Sequence, residues 1–188
     1  MDVIQLHEHG IKNVLASSGT SLTKDQIILI KRLTPNIIVL FDGDQAGLSA
    51  SLRSIDMILE EGLNVKICSF PEGDDPDSYV RKNKKEKMLE FINNQSKDFV
   101  DFKLNINKDF KDDEDKKVSI IRDILKSISL IPDTLKQEIY IKKLSAVLEI
   151  DVSSLYRSFS NIGISKSLKS SSKTLYNSKI FKVKTEDQ

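Results

Sequence analysis

Two acidic clusters carry the chemistry legible in this chain. Asp42-Gly43-Asp44 follows a continuous apolar run at residues 36–41 (NIIVLF), and Asp75 and Asp77 lie in 71–78 (PEGDDPDS) after a second run at 64–70 (NVKICSF). Two aspartates one small residue apart can face the same space, where unaided they repel and one stays protonated. A divalent cation removes the conflict, because hard Mg²⁺ takes carboxylate oxygens and keeps waters for phosphate groups. Alone, the tripeptide is equally a turn in which Asp44 caps a helix, and carboxylate pairs of this spacing also occur in sugar-nucleotide glycosyltransferases. The second cluster, expected at the same edge of a parallel sheet, shifts the balance to a cation site. Between residues 16 and 20 (ASSGT), Ser18, Gly19 and Thr20 can offer backbone N–H groups to a phosphate, a property shared by many strand–helix loops.

The elements that position these groups follow from periodicity. Residues 13–17 (NVLAS), 36–41 and 64–70 read as strands, the second as one buried on both faces. Residues 2–9 suit a short helix stopped by Gly10. Thr23 is an N-cap for a helix with Ile27, Ile30 and Leu33 at helical spacing before Pro35. Residues 46–61 carry the apolar stripe Leu48, Leu52, Ile55 and Leu59, closed by Gly62 at C′. Gly43 permits a tight turn, and Gly47 lets the helix approach the sheet. Strand–helix alternation with short connections predicts an α/β layer with a parallel sheet at whose carboxyl edge ligands collect.

Beyond Pro76 the character changes. Residues 78–87 are polar and lysine-rich, and 98–160 are helical in pattern. Val118, Ile121, Ile124, Leu125 and Ile128 form one face; Ile139, Ile141, Leu144 and Leu148 form another, with Pro132-Asp133 between them. Phe99, Phe102 and Phe110 read as core rather than as base-stacking platforms. The Ser/Lys-rich stretch 164–188 reads as a flexible, disordered linker.

The 188 residues are 39% hydrophobic and 30% charged, with 28 acidic against 29 basic side chains, so any nucleic-acid binding must come from local patches. One cysteine, Cys68, excludes an internal disulfide framework and a cysteine zinc cluster, and its apolar setting reads as a buried inert thiol. His7 and His9 read as surface histidines. No membrane-spanning stretch or signal peptide is evident, which predicts a cytoplasmic protein.

Four segments together resemble successive Toprim motifs of bacterial DnaG-type DNA primases: MDV at 1–3, ASSGTSLT at 16–23, FDGDQAG at 41–47 and PEGDDPDSYVRK at 71–82. The Gln45-Ala46-Gly47 continuation is of the primase type, unlike the Arg-Glu-Gly of type IA topoisomerases. The resemblance is strong over 1–82 and looser to about 160. It implies a partial Toprim fold, a Rossmann-like parallel sheet with flanking helices, over 1–95. A small α-helical bundle of the polymerase module at 96–163 and the linker would follow.

The resemblance also implies a function. Primases polymerise ribonucleoside triphosphates on a single-stranded DNA template to make RNA primers for replication, at the replisome. Asp42 and Asp44 match the family's catalytic, metal-binding pair for Mg²⁺ or Mn²⁺; Asp75 and Asp77 match a further acidic pair, and Asp2 the last residue of the Glu-Gly-Tyr-Met-Asp motif. Arg81 and Lys82 fall where a basic residue could meet nucleotide or template. The family's catalytic glutamate, with the strand presenting it, and its zinc ribbon lie outside this sequence. The chain alone is therefore expected to be inactive in primer synthesis. A replicative helicase would be met through a domain not present here. Two other classes stay open: a catalytically inactive Toprim interaction module, and a Toprim nuclease, which the Gln45-Ala46-Gly47 continuation disfavours.

Overall fold

Two apolar strands organise the molecule. In the computed structural model, which describes residues 2–17, 22–41, 45–71, 73–107 and 113–162 (backbone alone at 41 and 45–51), β1 (Asn36–Phe41) and β2 (Asn64–Ser69) run parallel, with Asn36 opposite Asn64 and Phe41 opposite Ser69. A short β3 (Lys97–Asp98) pairs antiparallel with the other side of β2, giving the order β1-β2-β3. The expected parallel sheet is thus the β1–β2 pair, with an antiparallel edge.

Successive strand side chains point to opposite faces, and β2 uses both. Val65 and Ile67 enter one core, while Cys68 and the following Phe70 enter another. β1 was the strand expected to be buried on both faces. It is half-buried instead, with Ile38 43% exposed, because β2 is its one sheet neighbour among the described residues.

The first core receives α2 (Lys24–Lys31), α3 (Gln45–Glu60), α5 (Phe99–Ile106), α6 (Glu114–Ile128), α7 (Thr134–Leu148) and α8 (residues 152–162). The second receives α1 (Asp2–Glu8) and α4 (Pro76–Gln95). Helices therefore cover both faces of the strands, and the C-terminal helices close over α3 and β2. Each apolar side chain so enclosed contributes about 1.5–3 kcal/mol.

Local signals account for the helix ends. Thr23 Oγ1 accepts the Gln26 N–H while Gln26 Oε1 accepts the Thr23 N–H, a reciprocal cap that starts α2. Gly62, at φ +79, ends α3: its N–H reaches the Leu59 carbonyl and the Leu63 N–H reaches that of Ile58. Gly10 ends α1 by the same pair of bonds, to His7 and Leu6. Asp133 caps α7 after Pro132, and Asp113 caps α6.

Three expectations are corrected. Residues 13–17 are not a strand, because they find no ladder partner among the described residues and Leu15 is exposed. Leu33 lies past the end of α2 and is 83% exposed. Ile139 faces solvent, since two residues of helix turn it to the side opposite Ile141. Phe99 and Phe102 are core; Phe110 and the stretch 164–188 lie outside the described residues.

One buried charge ties the two halves together. Lys103, on α5, is 3% exposed, and its Nζ donates to Asp123 Oδ2 and to Ser127 Oγ, each at 2.7 Å. Ser127 Oγ–H donates in turn to Asp56 Oδ1 on α3 at 2.6 Å. A buried ammonium persists only when paired and hydrogen-bonded, and here the partners come from both neighbouring helices.

Candidate metal centre

β1 ends at Phe41 and β2 at Ser69, and these residues are partners in the parallel register. The chain therefore leaves both strands at the same, carboxyl-terminal edge of the sheet, where open α/β folds bind ligands. Asp42, Gly43 and Asp44 follow β1 directly; they lie outside the described residues, as do Ser18, Gly19 and Thr20.

The loop after β2 is described in detail. Gly73, at φ +84, takes the left-handed conformation, and the Asp74 N–H closes the turn onto the Pro71 carbonyl at 3.0 Å. Asp75 caps α4: its Oδ1 accepts the Ser78 N–H at 2.6 Å, and its own N–H donates to Ser78 Oγ at 2.9 Å. Pro76 takes the first helical turn, where its missing N–H costs nothing. Asp77 Oδ1 accepts from Arg81 Nε at 2.7 Å, and Asp74 Oδ1 accepts from Lys82 Nζ at 2.6 Å.

Arg81 and Lys82 thus neutralise carboxylates of their own loop, leaving three aspartates against two cations. Asp74 was not singled out from the sequence; its link to Lys82 spans more than two helical turns and has no local signature. The Ser78 backbone N–H holds the Asp75 carboxyl below its ordinary range, and Lys82 does the same for Asp74. Both are ionised at neutral pH, the state a metal ligand requires.

Asp2 opens α1 and is exposed. Its helix reaches α4 through Leu6, which packs in one cluster with Val80 and Met88. Among the described residues, no three His, Cys, Asp or Glu side chains come together in a metal-holding group. The structure brings Asp75 and Asp77 onto one helix end and does not bring Asp2 into a cluster with them. His7 is exposed, and His9 Nδ1 lies 2.8 Å from the Gln5 carbonyl. Burial pushes the Cys68 thiol up to about 11, consistent with an inert core cysteine. No helix among the described residues is long and apolar enough to cross a membrane.

Residues 1–80 match the family described as Toprim-like, and residues 107–153 match the DnaB-helicase binding domain of primase. The second match corrects the expectation that no such domain is represented in this chain. The same residues also have counterparts in a catalytic core. The chain is similar to a solved structure of the DnaG catalytic core at 31% identity and a TM-score of 0.70, covering 82% of this chain and 51% of that one. That share is about 154 residues, which must extend past the 106 that precede the helicase-binding match. It is likewise similar to a DnaG primase catalytic domain bound to ssDNA, at 30% identity and a TM-score of 0.68, covering 78% and 48%. The DNA primase of Clostridium acetobutylicum is 39% identical over 159 residues, 83% of this chain and 26% of that protein. The chain spans about a quarter of the length of the curated relatives it matches. With its Toprim-like segment, its shared core and these relatives, the chain belongs to the bacterial DnaG-type DNA primase family.

Proposed function

We propose that the acidic loops following β1 and β2 form the divalent-metal site of a primase, with Asp42 and Asp44 as the principal, catalytic ligands and Asp75, Asp77 and Asp2 as further acidic groups. The observation that carries this reading is the parallel register of Phe41 with Ser69, which sends both loops out at one edge. The bonds of Asp75 and Asp77 engage Oδ1 of each, so Oδ2 of each is the oxygen offered to a cation. Hard carboxylate oxygens suit Mg²⁺ or Mn²⁺. When bound, the metal would stabilise charge on the transferring phosphorus and leaving pyrophosphate.

In this reading the whole protein joins ribonucleoside triphosphates on a single-stranded DNA template into an RNA primer, in the cytoplasm at the replisome. Ser18, Gly19 and Thr20 offer N–H groups to phosphate. Arg81 and Lys82 hold the acidic loop in shape through Asp77 and Asp74 and face nucleotide or template. Residues 1–95 act as the Toprim unit, 96–163 as the helical part of the polymerase module, and 164–188 as a linker. Because the chain spans about a quarter of its primase relatives, it binds metal alone without completing primer synthesis.

The match of 107–153 to a helicase-binding domain favours one second reading: a Toprim interaction module that contacts the replicative helicase without catalysis. Mn²⁺ titration of the 188-residue chain, followed by the electron paramagnetic resonance of free Mn²⁺, separates the two. The metal-site reading requires that Asp42→Asn and Asp44→Asn each lose binding. Wild-type affinity in both variants would leave the interaction module.

A further inference from the structure

Residues 76–95 cannot lie on one straight helix. At 1.5 Å per residue, Tyr79 and Phe91 would stand about 18 Å apart along the axis, and Tyr79 and Gln95 about 24 Å. Instead the rings of Tyr79 and Phe91 are 4.6 Å apart. Tyr79 and Gln95 line one open cavity of about 230 Å³, together with Lys87, Glu90, Phe91 and Asn94. The chain folds back at Lys84, whose φ of 61° and ψ of 170° interrupt the helix. Lysine is strained there, in a region open to glycine. Such strain concentrates at functional sites, and here it brings two rings and two amides into one concavity.

The cavity has the chemistry of a nucleobase site. Its aromatic wall is anchored to the sheet: Phe70, next to the end of β2 and 4% exposed, stacks on Phe91 with centroids 5.3 Å apart and meets Tyr79 at 5.5 Å. A fixed aromatic face stacks any base. The Asn94 and Gln95 amides carry both donors and acceptors for its polar edge, and Glu90 accepts from an exocyclic amine. The volume falls below the roughly 300–1,000 Å³ of sites that enclose a whole drug-sized ligand. It suits one planar ring, with sugar and phosphate outside. Lys87 lines the cavity beside Glu90 and, unlike Arg81 and Lys82, enters none of the described ion pairs, while the Lys85 side chain lies beside Gly10.

We infer that the cavity at the α4 break holds one unstacked base of a single-stranded nucleic acid, whose backbone passes Lys87. The choice of a strand over a free nucleotide rests on the primase reading; the cavity itself needs no metal. The test is fluorescence anisotropy of the 188-residue chain at low salt, with a labelled short oligodeoxynucleotide and the same backbone carrying abasic sites. The ordinary strand binds about fivefold or more tighter than the abasic one. Tyr79→Leu, and Asn94→Arg at the rim should the first variant misfold, reduce the two affinities to equality. Equal affinities in the unaltered chain, no binding of either strand, or a base preference that survives Asn94→Arg would overturn the inference. So would complete displacement of the strand by an equimolar nucleoside monophosphate. These outcomes are independent of Mn²⁺ binding, which reports on the acidic loops alone.

Discussion

Lys103 and Asp123 meet at 2.7 Å with very different exposure, the lysine side chain at 3% and the aspartate at 55%. The pair is therefore asymmetric: the buried ammonium depends on its partners more than they depend on it. Lys103→Met should lower unfolding free energy by about 1–3 kcal/mol, through lost bonds to Ser127 and to two carboxylates that can rehydrate. Asp123→Asn should cost less than about 1 kcal/mol. Urea denaturation of both variants checks the ordering, and a larger loss in Asp123→Asn would contradict it.

The cap of α4 makes a pH-dependent contribution. The Asp75 pKa is lowered in the folded chain, first by the Ser78 backbone N–H, so its stabilisation is complete above the unfolded carboxyl value of about 3.9. It is lost as pH falls through the lower folded value. Asp75→Ala should cost about 1 kcal/mol at pH 7 and flatten the acid limb of the melting-temperature profile below about pH 4. An unchanged limb would show that the cap does not form in solution.

The break at Lys84 supplies a third measurement. Glycine adopts a φ of +61° without the penalty lysine bears, so Lys84→Gly should raise stability by about 0.5–1 kcal/mol. Lys84→Val should lower it. If glycine destabilises, the residue is helical in solution and the cavity beside it does not form.

Burial separates two aromatic and aliphatic positions read alike from the sequence. Phe99 is fully buried, with its ring 4.7 Å from Tyr140, and Phe99→Ala should cost about 3–5 kcal/mol. Ile139→Ser, on the solvent side of α7, should stay within about 0.5 kcal/mol. Thermal denaturation of both decides whether the register of α7 is right.

The strands and α3 were legible because their signals are local: an uninterrupted apolar run, a helical stripe and a glycine at C′. α4 was not, because Val80, Met88 and Ile92 belong to two segments folded back at Lys84, and no single period joins them. Residues 13–17 have strand composition, but a strand also needs a neighbour, which composition does not supply. The Lys103 network escaped for a related reason, since Asp56, Lys103 and Ser127 come from three helices far apart in sequence. Of the site, the two acidic loops and their common edge were readable from strand order. The pairing of Asp74 with Lys82 and Asp77 with Arg81 depends on how α4 begins, and Asp75, read as a ligand, also starts that helix.

The most direct test of the account is a double-mutant cycle on Mn²⁺ affinity in the 188-residue chain, using Asp42→Asn, Asp77→Asn and both together. If the loops after β1 and β2 share one cation, each single change weakens binding and the double change is no worse than Asp42→Asn alone. Undiminished affinity in Asp77→Asn, or losses that simply add, would mean that the two loops do not form one metal site.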